Sequence, residues 1–258
     1  IYMDTYKILV IGNSFGEDAT HFLHDLALAR GIQTKVVNLY IGGCSLERHW
    51  RNIEKEAKDY EYQLNGRATG DKVSIQDALA EEKWDYIVTQ QSSHDSGWIE
   101  TYEPFLGWIT EYIKKEAPWA KFLIQETWAY EVNSTHDCFA RYHRNQEEMY
   151  QKLRANYYKE AEQYGLELIP CGDVIQTLRK EKEFNVNQGG ISLCRDGFHM
   201  NYLYGRYALS CTWIAKIFGE KAGKTSDTFL MEIADMQELA LLRKIRKIAE
   251  QVCWNKKS

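Results

Sequence analysis

The sequence predicts an α/β fold of three layers, helix on sheet on helix, built around a parallel sheet. Three observations carry that prediction. Short apolar runs recur along the chain, amphipathic helical patterns lie between them, and no repeat or low-complexity linker interrupts the alternation. Alternation of this kind yields parallel strands joined by right-handed crossovers, because helices must cover both faces of such a sheet. Five strands in a doubly wound, flavodoxin-like arrangement is the simplest assembly.

The elements follow in order. Strands are expected over residues 7–11, 34–41, 84–90, 121–125 and 166–170, the first of them carrying Ile8-Leu9-Val10-Ile11. A continuous apolar run of this length suits a strand buried on both faces. Between them, residues 19–30 place Phe22, Leu23, Leu26 and Ala27 at helical spacing. Further helices are expected over 105–116, over a long charged stretch at 141–164, and over 200–218 and 231–252. Residues 60–71, with Asn65-Gly66 and Thr69-Gly70, read as an irregular surface loop, with a lid or rim as the lesser reading.

Composition narrows the function. The chain has 258 residues, 44% hydrophobic and 27% charged, enough for a single domain spanning residues 1–258. No apolar stretch approaches the roughly 20 residues that span a bilayer. Ile1-Tyr2-Met3-Asp4 leads directly into the first strand. A periplasmic or secreted location is expected if an export signal preceded it, and a cytoplasmic one otherwise. A net charge of −5 with dispersed basic residues argues against a nucleic-acid binder. Arg243-Lys244 and Arg246-Lys247 read as a solvated helix face. Six cysteines form no C-x-x-C pair, so no zinc or redox motif is suggested; Cys171 and Cys211 read as small core residues. No G-x-G-x-x-G or Walker pattern supports a flavin or nucleotide binder. The 8 tryptophans and 17 tyrosines mostly build core, and any surplus suits a cleft that stacks sugar rings.

Two segments carry the chemistry. Gly12-Asn13-Ser14-Phe15 follows the first strand and opens a helix, which puts Ser14 at the sheet's carboxyl edge. Asp196-Gly197-Phe198-His199 precedes a late helix, and Gly197 permits the tight turn that would bring carboxylate and imidazole together. Serine is a weak nucleophile until a base takes its proton, and the base needs a carboxylate to fix its tautomer. On the same edge fall Gly42-Gly43 after the second strand and Gln90-Gln91-Ser92-Ser93 after the third. Each supplies donors suited to a developing oxyanion.

This order of blocks resembles the SGNH (GDSL-like) hydrolase superfamily over residues 7–218. The resemblance implies Ser14 as nucleophile, His199 as base and Asp196 as its orienting partner, with no metal or organic cofactor. It implies an oxyanion hole from the Ser14 N–H, Gly42 or Gly43, and a third donor from the Gln90-Gln91 pair, with Gln91 the stronger candidate. Two departures stand out: Asn13 replaces the usual aspartate, and the usual G-x-N-D block is absent, with Gln90-Gln91-Ser92-Ser93 in its place. Uncharacterised bacterial SGNH-like proteins share the G-N-S-F and Q-x-S patterns. Some carbohydrate esterases of the superfamily also carry glutamine there, which points to acetyl or short acyl groups on carbohydrates.

Other residues rank lower. Asn13, Gln90, His94 and Trp128 are candidate cleft or substrate-binding positions, and Cys44 a cleft lining. His21 and His24, with Asp25 beside them, form a weak metal face without a third ligand. Cys194 is a remote alternative nucleophile. A lipase or thioesterase, or a carbohydrate-binding protein that keeps the fold without catalysis, are the competing functions.

Overall fold

A computed structural model describes residues 4–222 and 227–254, so Ile1, Tyr2 and Met3 of the chain's start lie outside it. The central sheet has seven strands, β1 (Tyr6–Ile11), β2 (Thr34–Tyr40), β3 (Tyr60–Leu64), β4 (Arg67–Val73), β5 (Tyr86–Thr89), β6 (Lys121–Gln125) and β7 (Glu167–Ile169), in the order β4-β3-β2-β1-β5-β6-β7. Five of them, β2-β1-β5-β6-β7, are parallel. Their order matches the doubly wound expectation, and it reverses direction between β1 and β5. That reversal opens a crevice at the strands' carboxyl ends, where such folds bind ligands. Ile8, Leu9, Val10 and Ile11 are completely buried, as the apolar run of a central strand requires.

The remaining two strands correct the loop expected at residues 60–71. β3 pairs antiparallel with β2 and β4 pairs antiparallel with β3, extending the sheet at one edge. Asn65 and Gly66 both take positive φ (52° and 84°) at the turn, the requirement of a tight two-residue hairpin. β4 is exposed along nearly its whole length. Its polar sequence, Arg67 to Lys72, therefore shows none of the apolar pattern by which strands are recognised, yet it suits an edge that must not recruit other chains.

The helices are α1 (Ser14–Thr20), α2 (Leu23–Ala29), α3 (Leu46–Lys55), α4 (Ile75–Glu81), α5 (Phe105–Glu116), α6 (Gln146–Tyr164), α7 (Cys171–Leu178), α8 (Tyr204–Phe218) and α9 (Met236–Trp254). They cover both faces. On one, α1 and α2 pack on β2 and α8, with α7 and α9 against α8; elsewhere α3 packs on α5 and α4. The pattern expected over 19–30 is split into α1 and α2. The helix expected from 141 begins only at Gln146, where Asn145 accepts from the Glu148 N–H as its cap, because His143 and Arg144 have positive φ. Among the described residues no helix is long and apolar enough to cross a membrane.

Candidate active site

The turn that carries Ser14 is built from β1 upward. Gly12 N–H still donates to Leu39 O at 3.1 Å, extending the parallel ladder. Asn13 then leaves the strand as the cap of α1, its Oδ1 accepting from Phe15 N (2.9 Å) and Gly16 N (3.4 Å). The cap leaves the N–H of Ser14 outside it, at the positive end of the helix. Asn13 Nδ2 donates to Cys44 O at 3.1 Å, lacing this turn to the Gly42-Gly43 turn after β2. Gly43 has φ +66°, a conformation side chains resist, and both glycines are exposed.

His199 comes to this turn from the other end of the chain. Its Nε2 lies 2.9 Å from Ser14 Oγ and its Nδ1 lies 2.6 Å from Asp196 Oδ2. Asp196 Oδ1 accepts from Phe198 N and His199 N as well. Partial burial alone would raise the Asp196 carboxyl, but the His199 hydrogen bond and the two backbone donors outweigh it and hold the carboxyl below the usual aspartate range. Ser14 and His199 are half-buried and Asp196 is exposed. Gly197 has φ +90°, and a Cβ there would meet Ser134 at 2.9 Å, so two separate constraints select glycine.

The turn's tip is held by the segment after β6. Trp128 Nε1 donates to Phe198 O at 2.7 Å, and Glu131 N to Gly197 O at 2.8 Å. Trp128 is fully buried, which corrects the expectation that it lines a cleft. His136, which the sequence did not single out, packs edge-on to the Phe198 ring at 4.6 Å. Burial first, then the nearby His94, lowers its basicity. Its Nδ1 accepts from Cys138 N at 3.0 Å, so the neutral ring carries its proton on Nε2. No periodicity marks this segment, so nothing in the sequence announced it.

The two glutamines are the main correction. Gln91 is completely buried. Its Oε1 accepts from Leu46 N (3.0 Å) and Ser92 N (2.8 Å), and its Nε2 donates to Thr101 O and Oγ1, both at 3.1 Å. Every amide atom is thus committed to bracing α3 and the segment after β5, which removes Gln91 from the candidate oxyanion donors. Gln90 is equally buried and donates to Asn13 Oδ1 at 3.2 Å. It lies under the Ser14 turn, where a Cβ on Gly16 would meet its Nε2 at 2.8 Å. Asn13 is 2% exposed, so neither it nor Gln90 meets a substrate. His94 keeps about a third of its side chain exposed, beside Asp95.

The cysteines and the paired histidines take other roles. Burial pushes the Cys194 and Cys44 thiols up to about 12 each, so both remain neutral and weakly reactive. His24 Nδ1 sits against Thr34 at 2.9 Å from its carbonyl, while His21 packs edge-on to Phe22. Among the described residues no three potential ligands gather to hold a metal.

The chain's sequence matches the pattern of DUF4886, a domain of unknown function, over residues 7–244. The chain belongs to the DUF4886 family. A solved DUF4886 protein from Bacteroides uniformis is 34% identical, covers 98% of this chain and 97% of its own, and superposes with a TM-score of 0.84. A protein from Slackia heliotrinireducens, provisionally named an SGNH hydrolase, is 20% identical over 81% of this chain and 97% of that one, with a TM-score of 0.57. An acetyl-xylooligosaccharide esterase from Geobacillus is 13% identical over 83% and 94%, with a TM-score of 0.53. No curated relative matches the chain. This DUF4886 member therefore has the SGNH-hydrolase fold, as its four sequence blocks implied.

Proposed function

We propose that this DUF4886 protein is a serine esterase that removes acetyl or short acyl groups from carbohydrates. The observation that carries the reading is the continuous hydrogen-bonded chain from Asp196 through His199 to Ser14, 2.6 and 2.9 Å long. Such a chain has the geometry by which a hydroxyl is activated at neutral pH. Ser14 Oγ attacks the ester carbonyl while His199 Nε2 takes its proton. Asp196 holds the other ring nitrogen and favours the imidazolium that forms. The N–H groups of Ser14 and of Gly43 or Gly42 stabilise the oxyanion. His199 then protonates the leaving alcohol, and water, deprotonated by the same imidazole, releases the acid and restores Ser14.

The carbohydrate preference is supported by the acetyl-xylooligosaccharide esterase from Geobacillus, which shares the fold. The test is hydrolysis of p-nitrophenyl acetate, butyrate and octanoate by wild type and Ser14→Ala side by side. Serine-dependent turnover greatest on acetate is expected. A rate that climbs with chain length would instead favour a lipase. Serine-independent turnover would remove the esterase reading.

A further inference from the structure

We infer that Asp18 is a positioning residue, a buried clamp that sets the gap between Ser14 and His199; the inference rests on the esterase reading above. Asp18 lies one turn beyond Ser14 in α1 and is completely buried. An unpaired carboxylate is very costly in such a place, so its partners define its role. Oδ1 accepts from Arg195 Nη1 at 2.9 Å and from Arg206 Nε at 2.8 Å. Oδ2 accepts from Met200 N at 2.9 Å. Arg195 Nη1 also donates to Met200 O at 2.6 Å.

Arg195 and Met200 are the residues immediately outside Asp196 and His199. They are themselves tied across the base of the turn, where Arg195 N donates to His199 O and Cys194 bridges Met200. One carboxylate therefore grips both ends of the turn that carries the base, from the helix that carries the nucleophile. The path Ser14, α1, Asp18, Met200, His199 closes on itself through the 2.9 Å contact at Ser14 Oγ. Trp128 and Glu131 hold the tip of the turn; Asp18 holds its base. Arg206, on α8, fills the second lone pair of Oδ1 and fixes the carboxylate's orientation. Asn at position 18 keeps the volume but turns one acceptor into a donor facing either Met200 N–H or two guanidiniums. The base of the turn should slacken while the local Asp196–His199 pair, three residues apart, survives.

The experiment compares wild type, Asp18→Asn and Arg195→Gln by the rate at which a phosphonate ester labels Ser14, and by kcat and KM on p-nitrophenyl acetate. All are measured well below Tm on protein with native circular dichroism. Since displacement of a catalytic group by about 1 Å can cost on the order of 100-fold, Asp18→Asn should label and turn over about 100-fold more slowly with KM changed less than a few-fold. Its downfield His199 Nδ1–H proton resonance should persist. Arg195→Gln, which removes one of the clamp's donors at a partly exposed position, should lose about 10-fold and decides the matter if Asp18→Asn does not fold. A lowered Tm with wild-type rates in the folded variants would overturn the clamp and leave the esterase standing. Wild type that does not label at Ser14 would overturn the esterase reading, and the clamp with it.

Discussion

The indole of Trp128 lies parallel to the ring of Phe15, with centroids 4.0 Å apart and planes 4° from parallel. Phe15 follows Ser14 in the chain, and the same indole donates to Phe198 O beside His199. Trp128→Phe keeps much of the stacking but leaves the Phe198 carbonyl without its donor. A half-buried acceptor deprived of its partner costs about 1–3 kcal/mol. Urea unfolding should show a loss of that size, with kcat reduced because the tip of the turn is no longer held.

Gln91 offers a sharper discrimination. Gln91→Ala strands the buried N–H groups of Leu46 and Ser92, at roughly 1–3 kcal/mol each, and should lower Tm substantially. Its kcat, per folded molecule, should stay within a few-fold of wild type. Loss of an oxyanion donor would instead reduce kcat by about 10²–10³, so the two roles separate in one assay.

Gly197→Ala should fail on both counts. The φ of +90° and the Ser134 contact at 2.9 Å oppose any side chain, and left-handed backbone alone costs at least about 1–2 kcal/mol for a non-glycine residue. Stability and turnover should fall together, because the strained residue lies between Asp196 and His199.

Away from the site, Glu160 is buried and its carboxyl is raised from the usual glutamate value of 4.5 to about 8, first by burial and then by its neighbour Glu103. Tyr164 donates to the same Glu103. Between these two values the folded protein keeps a proton that the unfolded chain releases. The stability that Glu160 contributes is therefore full below about 4.5 and declines as pH rises towards 8. Glu160→Gln should flatten that decline, with thermal melts of the two proteins diverging most at the alkaline end.

Much of this was legible in the sequence, and the physical reason is that chemistry and burial both leave patterns. The five parallel strands announced themselves because buried strands must be continuously apolar. Ser14 was visible because parallel topology sends every strand's carboxyl end to one side, and the Asp196–His199 pair because its D-x-x-H spacing across Gly197 lets carboxylate and imidazole meet within one turn. The β3–β4 hairpin was hidden because an edge strand is polar. Gln91 was misplaced because residue type reveals a donor's capacity but not what it already donates to. Asp18 was invisible for a related reason: an aspartate in a short helix reads as an ordinary helix residue until Arg195, Met200 and Arg206 are seen around it.

The central claim, that Ser14 is the nucleophile activated by His199, is tested most directly by intact-mass spectrometry. Wild type, Ser14→Ala and His199→Ala are incubated with a phosphonate ester and digested to locate the adduct. One adduct per wild-type molecule, mapped to Ser14 and formed far more slowly in His199→Ala, is the predicted result. Adduct formation at another residue, or labelling at Ser14 that proceeds unchanged without His199, would contradict it.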